Sequence, residues 1–356
     1  GMGLVVDVVT PEKLLALRGN KSIGHVRYST FGDSRLKNAQ PLVINCSKGD
    51  LAIAHNGNLV NARQLKKKLE GRGSIFQTTV DSEVILHLIA RSGDSLFPSV
   101  VCALKKIKGA YSLLLMTKKE LLAARDPLGV RPLAIGKLGQ SYMVASETCA
   151  FDLIGAKYVR DVLPGEIVLL NEKGIKSVKF ANGNKKAMCI FEYIYFSRPD
   201  SKAFDKSVYL VRRQLGRELA KESPARADMV ISIPDSANTS AVGFAQGTGI
   251  PFETGFIRNH YIGRTFIEPK QSIRDFGAKI KYNPISEVVR GKRIVVVDDS
   301  IVRGTTARKL TRMLKRAGAR EIHFRVSCPP VVCPCFYGID TSTARELIAS
   351  KHDAQY

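Results

Sequence analysis

The sequence predicts two domains in tandem, an α+β half followed by an α/β half whose parallel sheet is flanked by helices. Three observations carry this expectation. Up to residue 178 short apolar strands and helices come in groups between glycine-rich turns, which places them in separate layers. Beyond it helix and strand alternate strictly, the pattern of a parallel sheet covered on both faces. The 356 residues, 44% of them hydrophobic, supply two packed cores.

Taken in order, LAIAHNGNLV (51–60) predicts a strand that breaks at an Asn56-Gly57 turn, and NARQLKKKLEG a helix stopped by Gly71. Asp81 opens a further helix over SEVILHLIARSG. YSLLLM (111–116), LLAA (121–124), YMVAS (142–146) and EIVLL (166–170) read as strands separated by turn signals. FANGNKKAM (180–188), polar, glycine-bearing and basic, serves as a linker, so the domains are assigned as 1–178 and 179–356. The second then predicts a helix over 206–222, a strand at MVISIP, a helix over 237–247, a strand at RIVVVDD, a helix over 306–317 and a strand at IHFRV.

Fifty-five lysines and arginines against 32 acidic residues give a formal charge of +23, which suits polyanionic partners, either nucleic acid or phosphorylated small molecules. The cations lie along helices, as in QLKKKL and ALKKIK, and solvated helix faces account for most of them. No apolar run approaches the roughly 20 residues of a membrane span, and the opening GMGLVVDVV lacks the features of a secretory signal. A cytoplasmic setting is expected. Seven cysteines without a C-x-x-C pair do not make a disulfide framework.

The most informative stretch is IVVVDDSIVRGTT (294–306). A continuous β-branched run marks a central parallel strand, so Asp298 and Asp299 fall at its C-terminal end, where open α/β sheets bind ligands. Gly304 allows close backbone approach, and Thr305 and Thr306 open a helix whose free N–H groups cradle an anion. Two carboxylates would repel a phosphate, so they face sugar hydroxyls or a divalent cation. A ligand with phosphate at one end and a cation-bound ribose at the other meets both demands. GKLG (136–139) lacks the remainder of a P-loop, and no G-x-G-x-x-G occurs.

VVVDDSIVRGTT resembles the phosphoribosyl pyrophosphate (PRPP) loop of type I phosphoribosyltransferases. With CIFEYIYFSRPDS (189–201), NHYIGRTFIEP (259–269) and PCFYGID (334–340), the chain is similar over nearly its whole length to the amidophosphoribosyltransferase family. The resemblance implies a doubly wound parallel sheet in the second half, with Ser300, Arg303, Gly304, Thr305 and Thr306 binding PRPP. It places Ser236, Asp298 and Asp299 at Mg2+. It also makes the basic segment from Arg264 to Lys281 a lid over pyrophosphate, with Arg264 and Lys281 in catalytic roles. A lid has a physical reason: loss of pyrophosphate leaves an oxocarbenium-like ribose that water would capture.

GHVRYST (24–30), AHNGNL (54–59), DSE (81–83) and ARDPLGVRPL (124–133) recur at turn positions of the first half. A pocket for a free amino acid wants one arginine and one aspartate, which Arg27 and Asp81 supply; Asn56 and the Gly57 N–H would hold an oxyanion. As a set these motifs resemble the class II glutaminase, an N-terminal-nucleophile hydrolase sandwich, and Arg27, Thr30, Asn56, Gly57 and Asp81 match its glutamine and oxyanion positions. His25 and His55 are expected to be structural.

That family uses an N-terminal cysteine as nucleophile and its own α-amino group as base. Here residue 1 is Gly and Cys46 is internal. The opening matches the family some way after its catalytic start. Either the chain is a fragment, or leading residues are absent from the sequence, or glutaminase function is lost; the sequence as it stands is expected not to hydrolyse glutamine. Cys189 and Cys335 match two of the four thiolates that hold a 4Fe-4S iron–sulfur cluster in some members, a set not completable from the matching residues present. The expected activity is transfer of glutamine-derived ammonia to C1 of PRPP, giving 5-phosphoribosylamine, pyrophosphate and glutamate, the first committed step of purine biosynthesis. Two alternatives are an ammonia-dependent remnant without glutaminase activity and a nucleic-acid-binding regulator on the same fold. The resemblance further implies a homotetramer inhibited by purine nucleotides. Ammonia must travel dry, and the apolar FEYIYF stretch (191–196) either lines such a passage or packs in a core.

Overall fold

The computed structural model describes residues 1–27, 32–183, 185–259, 281–339, 341 and 343–352. The chain forms two compact units, one made of residues 1–189 with 335–342, the other of 190–334 with 343–356. The division falls after Cys189, within the CIFEYIYF motif, and a short late segment returns to the first unit.

In the first unit β1 (Leu42–Cys46), β2 (Gly49–Leu59), β3 (Gly109–Met116) and β4 (Leu121–Arg125) build a sheet. A second set consists of β5 (Ala134–Leu138), β6 (Ser141–Ala145) and β7 (Lys157–Asp161), and β8 (Glu166–Asn171) and β9 (Gly174–Lys179) follow. The six-stranded antiparallel sheet runs β1-β2-β3-β4-β8-β9, and the three-stranded one β6-β5-β7. Alternation along each strand sorts side chains between two cores. Leu122 and Ile167 pack with Val84, Ile85 and Leu104 of the helices Glu83–Ala90 and Leu96–Lys106. Their neighbours Ala123 and Val168 pack with Ile135 of the smaller sheet and with Leu133 just before it. The helix Ala62–Glu70 ends before Gly71, which keeps helical angles, and the left-handed turn comes at Gly73, φ 84°.

One expectation fails here: Asn56-Gly57 is not a turn. β2 runs unbroken from Gly49 to Leu59 and pairs with β3 throughout, Gly57 opposite Tyr111. Gly57 has φ 145°, and a Cβ on it would lie 2.0 Å from the Ala110 carbonyl oxygen. The glycine is needed for close approach within a sheet, a role that a two-residue turn signal imitates.

In the second unit β10 (Lys202–Ala203) pairs with β11 (Lys206–Ser207) in a short hairpin, and β13 (Phe256–Arg258) pairs antiparallel with β14 (Tyr282–Pro284). The central sheet is parallel, β12 (Met229–Ser232), β15 (Arg293–Asp298) and β16 (Glu321–Val326) in that order, with Phe252 bridging to Val230. Ile294, Val295, Val296 and Val297 are each 0% exposed; full burial of each such side chain is worth about 1.5–3 kcal/mol. Ile294 and Val296 pack with Leu310 and Leu314 of the helix Thr305–Arg316, and Val295 and Val297 with Leu219 and Phe244 of the helices Val208–Glu222 and Asn238–Thr248. The apolar run is continuous because both faces are covered. FEYIYF forms a π-helical stretch, Glu192–Phe196, in which Ile194 is buried, Tyr195 is exposed and Tyr193 packs against Phe204. No described helix is long and apolar enough to cross a membrane.

Candidate functional site

β15 delivers Asp298 as its last residue and Asp299 just beyond, both carboxyls buried at 7% and 6% exposure. The Asp299 amide donates to Asp298 Oδ1 at 2.9 Å. Ser300 Oγ donates to Asp299 Oδ1 at 2.5 Å, and Ser236 Oγ donates to Asp299 Oδ2. Ser236 follows β12, so neighbouring parallel strands carry the serine and the acids to one sheet edge. Burial, with the Asp299 charge beside it, pushes the Asp298 carboxyl above the usual carboxylate range. Asp299 is also raised by burial, against the lowering effect of its two serine donors and of the Arg212 charge. Two buried, mutually repelling carboxyls are a charge deficit that a cation or hydroxyl donors would relieve. Such a pair suits a hard cation whose remaining ligands come from the substrate.

After Ser300 the chain reaches Gly304, φ 72°, which precedes the helix Thr305–Arg316 with no side-chain cap. Thr305 and Thr306 are exposed at that first turn, where backbone N–H groups lack intrahelical partners. The Ile348 amide donates to the Val302 carbonyl at 2.9 Å, and Arg303 Nη2 donates to Glu346 at 2.8 Å, bracing the loop from behind. Lys281 sits immediately before β14 with its Nζ 5.1 Å from the centre of the Tyr282 ring. Arg264 and the rest of the lid, like Thr30, lie outside the described residues.

Residues the sequence did not single out also gather at this edge. Tyr282 is raised by burial and by the Asp298 charge. The Cys328 thiol is pushed up to about 11 by burial and by the Asp299 charge. The Ser327 amide donates to the Asp298 carbonyl at 3.1 Å. Arg212, buried inside its helix, donates to the Tyr193 and Ser197 carbonyls at 2.5 and 2.8 Å. An arginine within an amphipathic helix carries no signal of burial, so only packing reveals it.

In the first unit Asp81 is buried, and its Oδ2 accepts from the Leu59 amide at 2.8 Å. His55 Nδ1 lies 3.6 Å from Asp81 Oδ1 and 3.0 Å from Ser82 Oγ. Burial would raise Asp81, but the His55 charge and the surrounding donors outweigh it and hold the carboxyl below its ordinary value. His25 Nε2 contacts the His55 carbonyl of β2 at 3.0 Å, and His55 Nε2 contacts the Ala110 carbonyl of β3 at 3.3 Å. Arg27 donates to the Asp33 and Gly32 carbonyls at 3.1 and 3.3 Å, and the Asp81 charge raises its pKa while burial lowers it further. Asn56 Nδ2 donates to Ser146 Oγ at 3.5 Å.

The two cysteines matched to cluster ligands both fall in the first unit: the Cys189 amide donates to the Val130 carbonyl, and the Cys335 amide to the Thr341 carbonyl. Among the described residues no group of three or more His, Cys, Asp or Glu is arranged to hold a metal ion. Two thiolates do not satisfy an iron–sulfur cluster, so the described residues do not fit one.

The glutamine amidotransferase domain model matches residues 25–152, and the phosphoribosyl transferase domain model matches residues 208–332. The amidophosphoribosyltransferase of Bacillus subtilis is 51% identical over 100% of this chain and 75% of its own length. That of Methanothermobacter thermautotrophicus is 48% identical over 100% of this chain and 76% of its own. A solved structure of glutamine PRPP amidotransferase from B. subtilis, complexed with ADP and GMP, matches with a TM-score of 0.87 at 52% identity, covering 93% of this chain and 72% of that one.

Proposed function

The chain belongs to the amidophosphoribosyltransferase family, a family of glycosyltransferases, and from that premise we propose how its residues divide the work. The reaction moves glutamine nitrogen, as ammonia, onto C1 of PRPP and releases pyrophosphate and glutamate. The buried acid pair at the end of β15 carries this assignment. Asp298 and Asp299 face the ribose hydroxyls and a cation, while Thr305, Thr306 and the free amides behind Gly304 hold the 5-phosphate.

As the C1–O bond to pyrophosphate breaks, positive charge develops on the ribose and the acids lie beside it. Mg2+, when bound, supplies positive charge to the departing pyrophosphate, with Asp298, Asp299 and Ser236 as the residues that fit its neighbourhood. Lys281 and Arg264 add cations from the lid and exclude water from C1. Ammonia then donates its lone pair to C1 and loses a proton to give the amine. In the glutamine half Arg27 takes the substrate carboxylate, Asp81 its ammonium, and Asn56 with the Gly57 N–H the oxyanion. A cytoplasmic location, a homotetrameric assembly and inhibition by purine nucleotides belong to the same proposal; the B. subtilis relative was solved with ADP and GMP. Similarity of about half the residues over the full chain favours this assignment over a nucleic-acid regulator.

Asp299→Asn tests it. Ammonia-dependent formation of phosphoribosylamine should fall roughly 100-fold or more, the scale on which removal of a transition-state contact acts. The melting temperature without ligand should stay level or rise, because a buried repulsion is gone. A wild-type rate with ammonia in the folded variant would refute the role.

A further inference from the structure

The ARDPLGVRPL motif has no part in the chemistry above, yet its loop is densely hydrogen-bonded. Asp126 is fully buried and accepts from the amides of Leu128, Val130 and Tyr111 at 2.9, 3.1 and 3.3 Å. Arg125 donates to the carbonyls of Arg131, Val162 and Gly129 at 2.7, 2.8 and 2.9 Å. This framework fixes the backbone of Arg131, whose side chain is itself 5% exposed. Arg131 Nη2 donates to the Gly338 carbonyl at 2.9 Å, and Asn58 Nδ2 donates to the Phe336 carbonyl at 2.8 Å. Gly338, with φ 103°, packs so tightly that a Cβ on it would lie 3.3 Å from the Gly57 carbonyl carbon and oxygen and from Arg131 Nη2.

We propose that Arg131 is a positioning residue for the glutamine half: by clamping the Gly338 carbonyl it seats the 336–338 segment against the Gly57 peptide and holds the Asn56–Asn58 backbone in register for the oxyanion. Desolvating a guanidinium is expensive, and an apolar side chain would fill the same space without that penalty. The backbone it steadies, three residues of one strand, must point a donor at an oxygen to within a fraction of an ångström. The proposal rests on Asn56 and Gly57 as the oxyanion contacts, and it adds how they are kept in place.

The test uses the full-length protein and the substitutions Arg131→Gln and Arg131→Lys. Arg131→Gln should lower kcat for glutamine hydrolysis by about tenfold with little change in KM, a smaller loss than deleting a donor outright. Hydrogen exchange of the 55–59 segment should quicken about tenfold while that of the 83–90 helix does not. Ammonia-dependent synthesis should be unchanged, and Arg131→Lys, which keeps one donor, should recover part of kcat. A merely structural arginine would lower the melting temperature without these effects, so an unchanged kcat in folded Arg131→Gln, or unaltered exchange at 55–59, overturns the proposal. If the wild-type protein does not hydrolyse glutamine, titration with glutamine tests the glutamine assignment and the exchange measurement alone decides the role of Arg131.

Discussion

His55 and Asp81 form a buried pair, and its charge state sets how the first unit responds to pH. Burial alone would lower His55, but Asp81 at 3.6 Å, with help from Asp126, raises it above 6.5. A raised folded value means that the histidine's contribution is fully present below pH 6.5 and is lost as pH climbs through the folded value. Asp81, lowered from 3.8, contributes above that pH and loses its contribution as pH falls through its own folded value. The first unit should therefore be most stable in mildly acidic buffer and weaken toward alkaline pH, by at most about 1.4 kcal/mol per pH unit, the limit for one proton. His55→Gln should flatten that alkaline slope in denaturant titrations; an unchanged slope would assign it to other groups.

The loop that joins β15 to the helix Thr305–Arg316, proposed to hold the 5-phosphate, contains a backbone turn that only glycine takes easily. At Gly304, φ 72°, a Cβ would also come 3.0 Å from Ile348 Cδ1. Gly304→Ala should cost about 1–2 kcal/mol in the left-handed turn. It should weaken PRPP binding about tenfold, since each 1.4 kcal/mol is a factor of ten. Titration calorimetry with PRPP and Mg2+ checks the affinity, and equal binding by wild type and variant would remove Gly304 from the site. The same element shows why the strand run was legible in advance: Ile294 to Val297 are apolar because both faces are covered. β2 shows the opposite case, in which Asn-Gly inside a strand imitates a turn and only pairing with β3 reveals the continuous ladder.

At the scale of the whole molecule, two units with separate cores should respond separately to a ligand. PRPP with Mg2+ at 100 times its Kd should protect the β15 region from hydrogen exchange by about 2.7 kcal/mol and leave the β3–β4 core of the first unit unchanged. Equal protection of both would mean that they open as one. The sequence alone determined the two layered architectures, the central strand, and the acid pair with the glycine loop that follows it. Each of these is local: a period of apolar residues, a chemical pair at a strand end, a glycine before a helix. The tertiary structure alone decided that Asp81 is held by His55 and the Leu59 amide, that Tyr282 and Cys328 feel the charge of the acids, and that Gly338 returns to the first unit beside Gly57. Those contacts join residues tens to hundreds of positions apart, and no periodicity or short motif encodes a distance between segments that meet only when the chain is packed.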